Sequence, residues 1–329
     1  MITNILLQIV IYMSISLVFS LVFEKMLIPI LKKKKVGQNE RYDGPRSHLK
    51  KAGTPTMGGI VMLITILIFT VIFAITNRSN VSVMQLILIV GLTSVGFGLI
   101  GFIDDYKKVI KHNTEGLNPK LKMIGLFIIS AIFIYLVLEV LKFAPTIVIP
   151  IVHIAFELPV WLYIIFTIFV LLGTTNAVNL TDGIDGLNGS VSTIALIALG
   201  IISAKMGNIA LSMILFVVAA STVGFLSYNF HPAKIFMGDT GSLFLGGILA
   251  VSSIVLQQHL LLLLICFIPV IEALSDILQL LWVKVKKKRL FKMAPIHHHL
   301  ELTGWRESKV VTVFSIITFV MCTIAVLIA

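Results

Sequence analysis

The chain has 329 residues, a mean hydropathy of +1.05, 58% hydrophobic and only 12% charged residues, and a formal net charge of +11. A soluble domain carries about 25% charged residues, so this composition excludes one and points to a polytopic membrane protein. The Lys and Arg residues flank apolar runs rather than building one basic face, which argues against a nucleic-acid partner and for anionic lipid headgroups or a polyanionic substrate.

Runs of about 20 apolar residues cross a hydrocarbon core as helices, and ten follow one another here. The predicted spans are 5–31, 55–76, 83–103, 119–139, 158–176, 189–204, 208–228, 241–257, 260–283 and 309–328, in one all-α domain over residues 1–329. No positive charge precedes the first run, so it is expected to stay as a helix and not to be removed as a signal peptide. The loop after it holds residues 32–35, Arg41, Arg46, Lys50 and Lys51. Lys107, Lys108, Lys111, Lys120 and Lys122 lie between the third and fourth runs, Lys234 between the seventh and eighth, and a last basic stretch covers 284–309. Only Lys25, Arg78, Lys142 and Lys205 of the 26 Lys and Arg residues fall elsewhere. The positive-inside bias therefore puts these loops in the cytoplasm and both termini outside. In the connection 140–157, Pro145 and Pro150 bracket a β-branched stretch, predicting a short external β-hairpin. Cys266 and Cys322 sit in separate apolar runs and indicate no disulfide framework. No internal repeat stands out, which counts against an inverted-repeat transporter, the alternative of another class.

Three groups of acids break the pattern. Asp104 and Asp105 end the third run, Asp182 and Asp185 lie in NAVNLTDGIDGLN, and Asp239 lies in KIFMGDTGS, all on the expected cytoplasmic side. An ionised Asp near the bilayer core costs about 2.5 kcal/mol or more, so acids at such borders are functional-site candidates. Any one of them alone reads equally well as a solvated loop charge. Together they suit a phosphate ester handled with Mg²⁺, which takes one or two carboxylates and leaves its other positions to phosphate oxygens and water. Lys51, Lys108, Lys120 and Lys122 are positioned to spread phosphate charge, although topology alone also places lysines here. Three consecutive histidines, His297, His298 and His299, cannot share one helical face, so an irregular loop is expected, donating to phosphate or sugar oxygens; zinc sites use spaced ligands. Glu272 and Asp276 share one face of the ninth span, either as a structural pair or with Asp276 turned to the site.

Five segments in order, HLKKAGTPTMGG, GFIDDYKK, NAVNLTDGIDGLN, SYNFHPAKIFMGDTGSL and APIHHHLELTGW, resemble the cytoplasmic signatures of the phospho-N-acetylmuramoyl-pentapeptide-transferases. These belong to the polyprenyl-phosphate N-acetylhexosamine-1-phosphate transferases, and the His tract is similar to the muramoyl-pentapeptide branch. The resemblance covers nearly the whole chain. It implies a multi-pass enzyme of the bacterial plasma membrane, with its active site on the cytoplasmic face. The implied reaction passes phospho-MurNAc-pentapeptide from UDP-MurNAc-pentapeptide to undecaprenyl phosphate with Mg²⁺, giving lipid I and UMP for peptidoglycan synthesis. By the same resemblance Asp239 is the Mg²⁺ ligand, Asp104 and Asp105 the catalytic pair, and Lys51, Asp185 and Phe236 the nucleoside pocket. Asn179, Asp182 and Asn229 line the site, Thr56, Lys108 and Lys120 surround the phosphates, and His297, His298 and His299 meet the sugar diphosphate. Leu126, Leu300 and Asp276 depart from the residues usual in this family and leave the implied reaction intact. The sister reaction, transfer of GlcNAc-1-phosphate to the same lipid, is the nearest alternative. Direct attack by the lipid phosphate and a covalent phospho-aspartate both remain open, as does a homodimer.

Overall fold

The computed structural model describes residues 2–33, 51, 53–110, 116–152 and 154–329. The expected basic residues at 34–50 and Lys111 lie outside the described residues. The long helices are α1 (Ile2–Lys33), α2 (Gly59–Thr76), α3 (Val81–Ile110), α4 (Pro119–Tyr135), α5 (Val160–Thr181), α6 (Leu187–Lys205), α7 (Ile209–Asn229) and α8 (Gly238–Val255). The short α9 (Leu262–Ile265), α10 (Phe267–Lys286), the short α11 (Ile296–Leu302) and α12 (Glu307–Ile328) complete the bundle. Among the described residues nine helices are long and apolar enough to cross a membrane, and ten if a bent pair counts as one span. The hairpin forms as expected from its prolines: β1 (Thr146–Ile149) pairs antiparallel with β2 (Ile154–Glu157), Thr146 opposite Glu157.

The bent pair corrects the ninth predicted span. Residues 260–283 are not one continuous helix, because the segment His259–Ile265 and helix α10 meet at 87°. Pro269 supplies the reason. It has no amide to donate to the Ile265 carbonyl, and its ring would collide with that oxygen in a continuous helix. The freed carbonyl is instead reached by the Cys322 thiol of α12 at 3.6 Å, as a polar backbone group away from water requires.

Helix α8 is the axis of the molecule, buried continuously from Thr240 to Val255, and it packs against α3, α5 and α2. Helix α1 lies at the edge, mostly exposed to the surroundings that its apolar side chains Leu6, Val10, Val18 and Met26 suit. It is held to α7 by polar contacts between helices: the Ser16 hydroxyl donates to the Val217 carbonyl at 2.7 Å and Ser20 to that of Ser221 at 2.8 Å. The C-terminal ends of α3, α5 and α7 and the N-terminal ends of α2, α8 and α12 converge, and there the acids meet.

Candidate active site

Asp104 and Asp105 are neighbours on the last turns of α3, about 100° apart around the helix, and so serve different partners. Asp105 turns inward to the first turn of α8. Its carboxylate accepts from the amides of Asp239 at 3.1 Å and Thr240 at 2.9 Å and from the Thr240 hydroxyl at 2.6 Å. The first amides of a helix have no partner within it, and here a carboxylate from another helix satisfies two of them, which fixes where Asp239 stands. Close approach is possible because Gly101 faces this turn, where a Cβ would collide with the Asp239 carbonyl and the Thr240 amide. Gly101→Ala is therefore expected to displace the start of α8, lowering stability by about 1–3 kcal/mol and turnover by about a hundredfold. Melting temperature and rate measured together check this, and wild-type values for both would show that α8 is not pinned here.

Asp104 accepts from the Leu117 amide at 2.6 Å through Oδ1 and pairs with the Lys108 ammonium at 2.6 Å through Oδ2. Asp239 is the meeting point. Its Oδ2 lies 2.9 Å from both Lys108 and Lys122, while its Oδ1 accepts from the Asn179 amide at 2.8 Å. Asn179 also donates to Ser242 at 2.7 Å. The oxygens of Asp104, Asp105 and Asp239 lie within 4.8 Å of one another, a hard-donor cluster that fits a divalent cation. Asp182, at the end of α5, is pushed up to about 8 by burial and by the charges of Asp239, Asp105 and Asp185.

A second group is built around Lys51. Its ammonium lies 2.8 Å from Asp185 Oδ1 and 2.8 Å from Glu307 Oε2. Burial alone would lower its pKa, but the two carboxylates outweigh that and hold it above its ordinary value. His231 Nδ1 stands 3.0 Å from Asp185 Oδ2, which also accepts from the Ala233 amide at 3.0 Å. Phe236 is half-buried, its amide donating to the Pro55 carbonyl and its carbonyl accepting from the Gly58 amide. Thr56 is buried in the same paired segment. Buried Asn229 ties the loops together, accepting from the Gly186 amide at 3.0 Å and donating to the Ile235 carbonyl at 2.9 Å.

The His tract is helical where a loop was expected. Within α11 successive positions are about 100° apart, yet the rings of His297 and His298 lie against each other, with centroids 4.1 Å apart, while His299 packs on Phe291. His297 is fully buried, its Nδ1 3.0 Å from Glu272 on α10 and its Nε2 against Gly183, where a Cβ would collide with the ring. His298 lies 3.0 Å from Glu301, and His299 accepts from the Lys292 amide at 3.1 Å.

The structure thus brings Asp104, Asp105, Asp239, Lys108 and Asn179 together, and separately Lys51 with Asp185. It leaves Lys120 exposed at the start of α4, where Lys122 makes the contact with Asp239. His231, Glu272 and Glu307 were not among the expected site residues. Glu307 carried a readable signal, since it stands at the border of an apolar run as the aspartates do.

A helical bundle with carboxylates and lysines gathered at one end is joined by a family match that makes it a transferase: the profile of Glycosyl transferase family 4 matches residues 86–257. The chain is 45% identical to the phospho-N-acetylmuramoyl-pentapeptide-transferase of Staphylococcus epidermidis (strain ATCC 35984) over 93% of its length and 95% of the relative's. It is 46% identical to that of Staphylococcus carnosus over 92% and 94%, and 45% identical to that of Staphylococcus aureus (strain RF122) over 93% and 95%. The chain belongs to the phospho-N-acetylmuramoyl-pentapeptide-transferases.

Proposed function

We propose that the chain transfers phospho-MurNAc-pentapeptide from UDP-MurNAc-pentapeptide to undecaprenyl phosphate, releasing UMP and giving lipid I. The observation that carries this is the convergence of Asp104, Asp105, Lys108 and Lys122 on Asp239 in a chain that shares 45% identity with these transferases. The transporter alternative gains one feature, the bent α9–α10 pair, but the acids gather at one end of the bundle and the relatives are transferases.

In this reading the lipid phosphate attacks the β-phosphorus in line, a P–O bond forms to it, and the bond to UMP breaks. Phosphoryl transfer depends chiefly on positioning and on neutralising charge over the equatorial oxygens. Lys108 and Lys122, both 2.9 Å from Asp239, would neutralise those oxygens, and Asp104 would be the base that takes the proton of the lipid phosphate. Asp239 is the residue that would hold Mg²⁺, which when bound would neutralise diphosphate charge. Asp105 holds the α8 turn, and Asp182 lines the site at the end of α5. Lys51, Asp185 and Phe236 receive the nucleoside, the Phe236 ring taking the uracil face. Asn179, Asn229 and Thr56 shape that surface. Lys120, His298 and His299 border the sugar diphosphate, with buried His297 holding the 182–185 loop behind them.

Purified protein with undecaprenyl phosphate, Mg²⁺ and UDP-MurNAc-pentapeptide is expected to form lipid I and UMP, with UDP-GlcNAc giving less than about one per cent of that rate. Comparable rates with UDP-GlcNAc would move the protein to the sister reaction. The site would face the cytoplasm of a bacterial plasma membrane, with both termini outside. A cysteine at Thr303, in a background lacking Cys266 and Cys322, should then react with an impermeant thiol reagent in inverted vesicles only. Reaction in intact spheroplasts would reverse this topology.

A further inference from the structure

Lys51 is held by more than its expected partner. Its side chain is 13% exposed, and the two carboxylates that grip it are 1% and 7% exposed, so little water competes for any of the three. They come from distant parts of the chain. Asp185 is in the loop between α5 and α6, and Glu307 is in the first turn of α12. His231, between α7 and α8, closes the group at 3.0 Å from Asp185 and 3.4 Å from Glu307.

Donor bookkeeping shows what Glu307 adds. An ammonium has three N–H donors. Asp185 uses one oxygen on Lys51 and the other on His231 and the Ala233 amide, so it can hold the ammonium by a single bond, about which the other donors remain free to swing. The bond to Glu307 is a second anchor at 2.8 Å. With both made, the third donor has one direction left. Glu307 is itself a fixed anchor, since the first turn of a helix stabilises a carboxylate and little of its surface is exposed. Asp185, His231 and Glu307 have the donor types of a metal site, and the cation that the two carboxylates share is the ammonium of Lys51.

We propose that Glu307 is a positioning residue for the nucleotide: it acts through Lys51, aiming that residue's remaining donor at an acceptor oxygen of the uridine. This rests on the reading above that Lys51 meets the nucleoside. It also gives α12 a part in substrate selection, because the segment that follows the His tract then sets the geometry of the nucleotide pocket.

The test is a set of kinetic constants with UDP-MurNAc-pentapeptide for the wild type, Glu307→Gln, Glu307→Asp, Lys51→Met and Lys51→Met with Glu307→Gln. Glu307→Gln is expected to raise the KM for the UDP substrate about tenfold while kcat changes less than about threefold. The KM for undecaprenyl phosphate should not move. Glu307→Asp keeps the charge with a shorter reach and should raise the nucleotide KM by only about threefold. The double variant should be no worse than Lys51→Met within about twofold, since a residue acting through Lys51 has nothing further to lose. Additive losses, a fall in kcat at unchanged KM, or an unchanged KM in Glu307→Gln would each overturn the proposal. If Glu307→Gln does not fold, the KM of Glu307→Asp decides, and an unchanged value overturns it. Failure of the underlying reading looks different: Lys51→Met itself would then leave the nucleotide KM unchanged.

Discussion

Asp239→Asn is expected to lower turnover by about a thousandfold or more, at every pH, and to raise the Mg²⁺ concentration needed for half-maximal rate. The substitution keeps the volume of the side chain and the oxygen that accepts from Asn179. It removes the charge on which two ammonium groups converge, and in one orientation of the amide it turns an NH₂ donor toward them. Lys108 keeps Asp104 as a partner, but Lys122 loses its ion pair with Asp239, so two cations are no longer held at one point. The same change removes the anionic oxygen that a hard divalent cation prefers. Structural loss should be small by comparison, because the turn bearing Asp239 is held by Asp105 through backbone amides that the substitution leaves in place. Turnover titrated against Mg²⁺, with melting temperature as control, checks this. A variant with a tenth of the wild-type rate and an unchanged Mg²⁺ requirement would remove Asp239 from the centre of the site.

What could be read in the sequence follows from what is local. A run of twenty apolar residues has few fates but a spanning helix, so nine spans were legible, and Pro145 and Pro150 marked the hairpin for the same reason. The ninth span misled because hydropathy does not register the missing amide of Pro269, three residues into α10, although the proline was in plain view. The acids were legible as a set because each stands at the border of an apolar run. Their division of labour was not, since it depends on helix phase. Lys120 and Lys122 lie about 200° apart on α4, so one of them faces Asp239 and the other faces away, and Pro119 and the Asn118 cap that set the phase do not reveal which. The partners of Lys51 illustrate the remaining limit. Asp185 and Glu307 are 134 and 256 residues away, and only the packing of α12 beside α6 brings the second within reach.

The adjacent pair Asp104 and Asp105 is expected to divide cleanly under the same substitution. Asp105 spends its carboxylate on the Asp239 and Thr240 amides and the Thr240 hydroxyl, all within the protein. Asp105→Asn must weaken charge-assisted bonds worth about 1.5–3 kcal/mol and offer an NH₂ where a donor already points. Stability and activity should therefore fall together. Asp104 bonds the Leu117 amide, Lys108 and the side chain of Asp239, and none of these bonds pins a helix start as those of Asp105 do, so Asp104→Asn should fold and bind nucleotide normally. What it loses is the capacity to take a proton. A phosphate monoester has a second pKa of about 6, so below that pH the lipid phosphate is mostly the poorly nucleophilic monoanion and the missing base is felt in full, about a hundredfold or more. As pH rises from about 6 to 8 the phosphate ionises without help, and the rate of Asp104→Asn should climb toward the wild type, whose own profile is flatter over that range. The pH dependence of kcat for the two variants, with melting temperatures, separates the roles. A flat profile for Asp104→Asn, or a phospho-aspartate trapped in the wild type by rapid quench, would replace direct attack with a covalent route through one of these two carboxylates, while the overall transfer would stand.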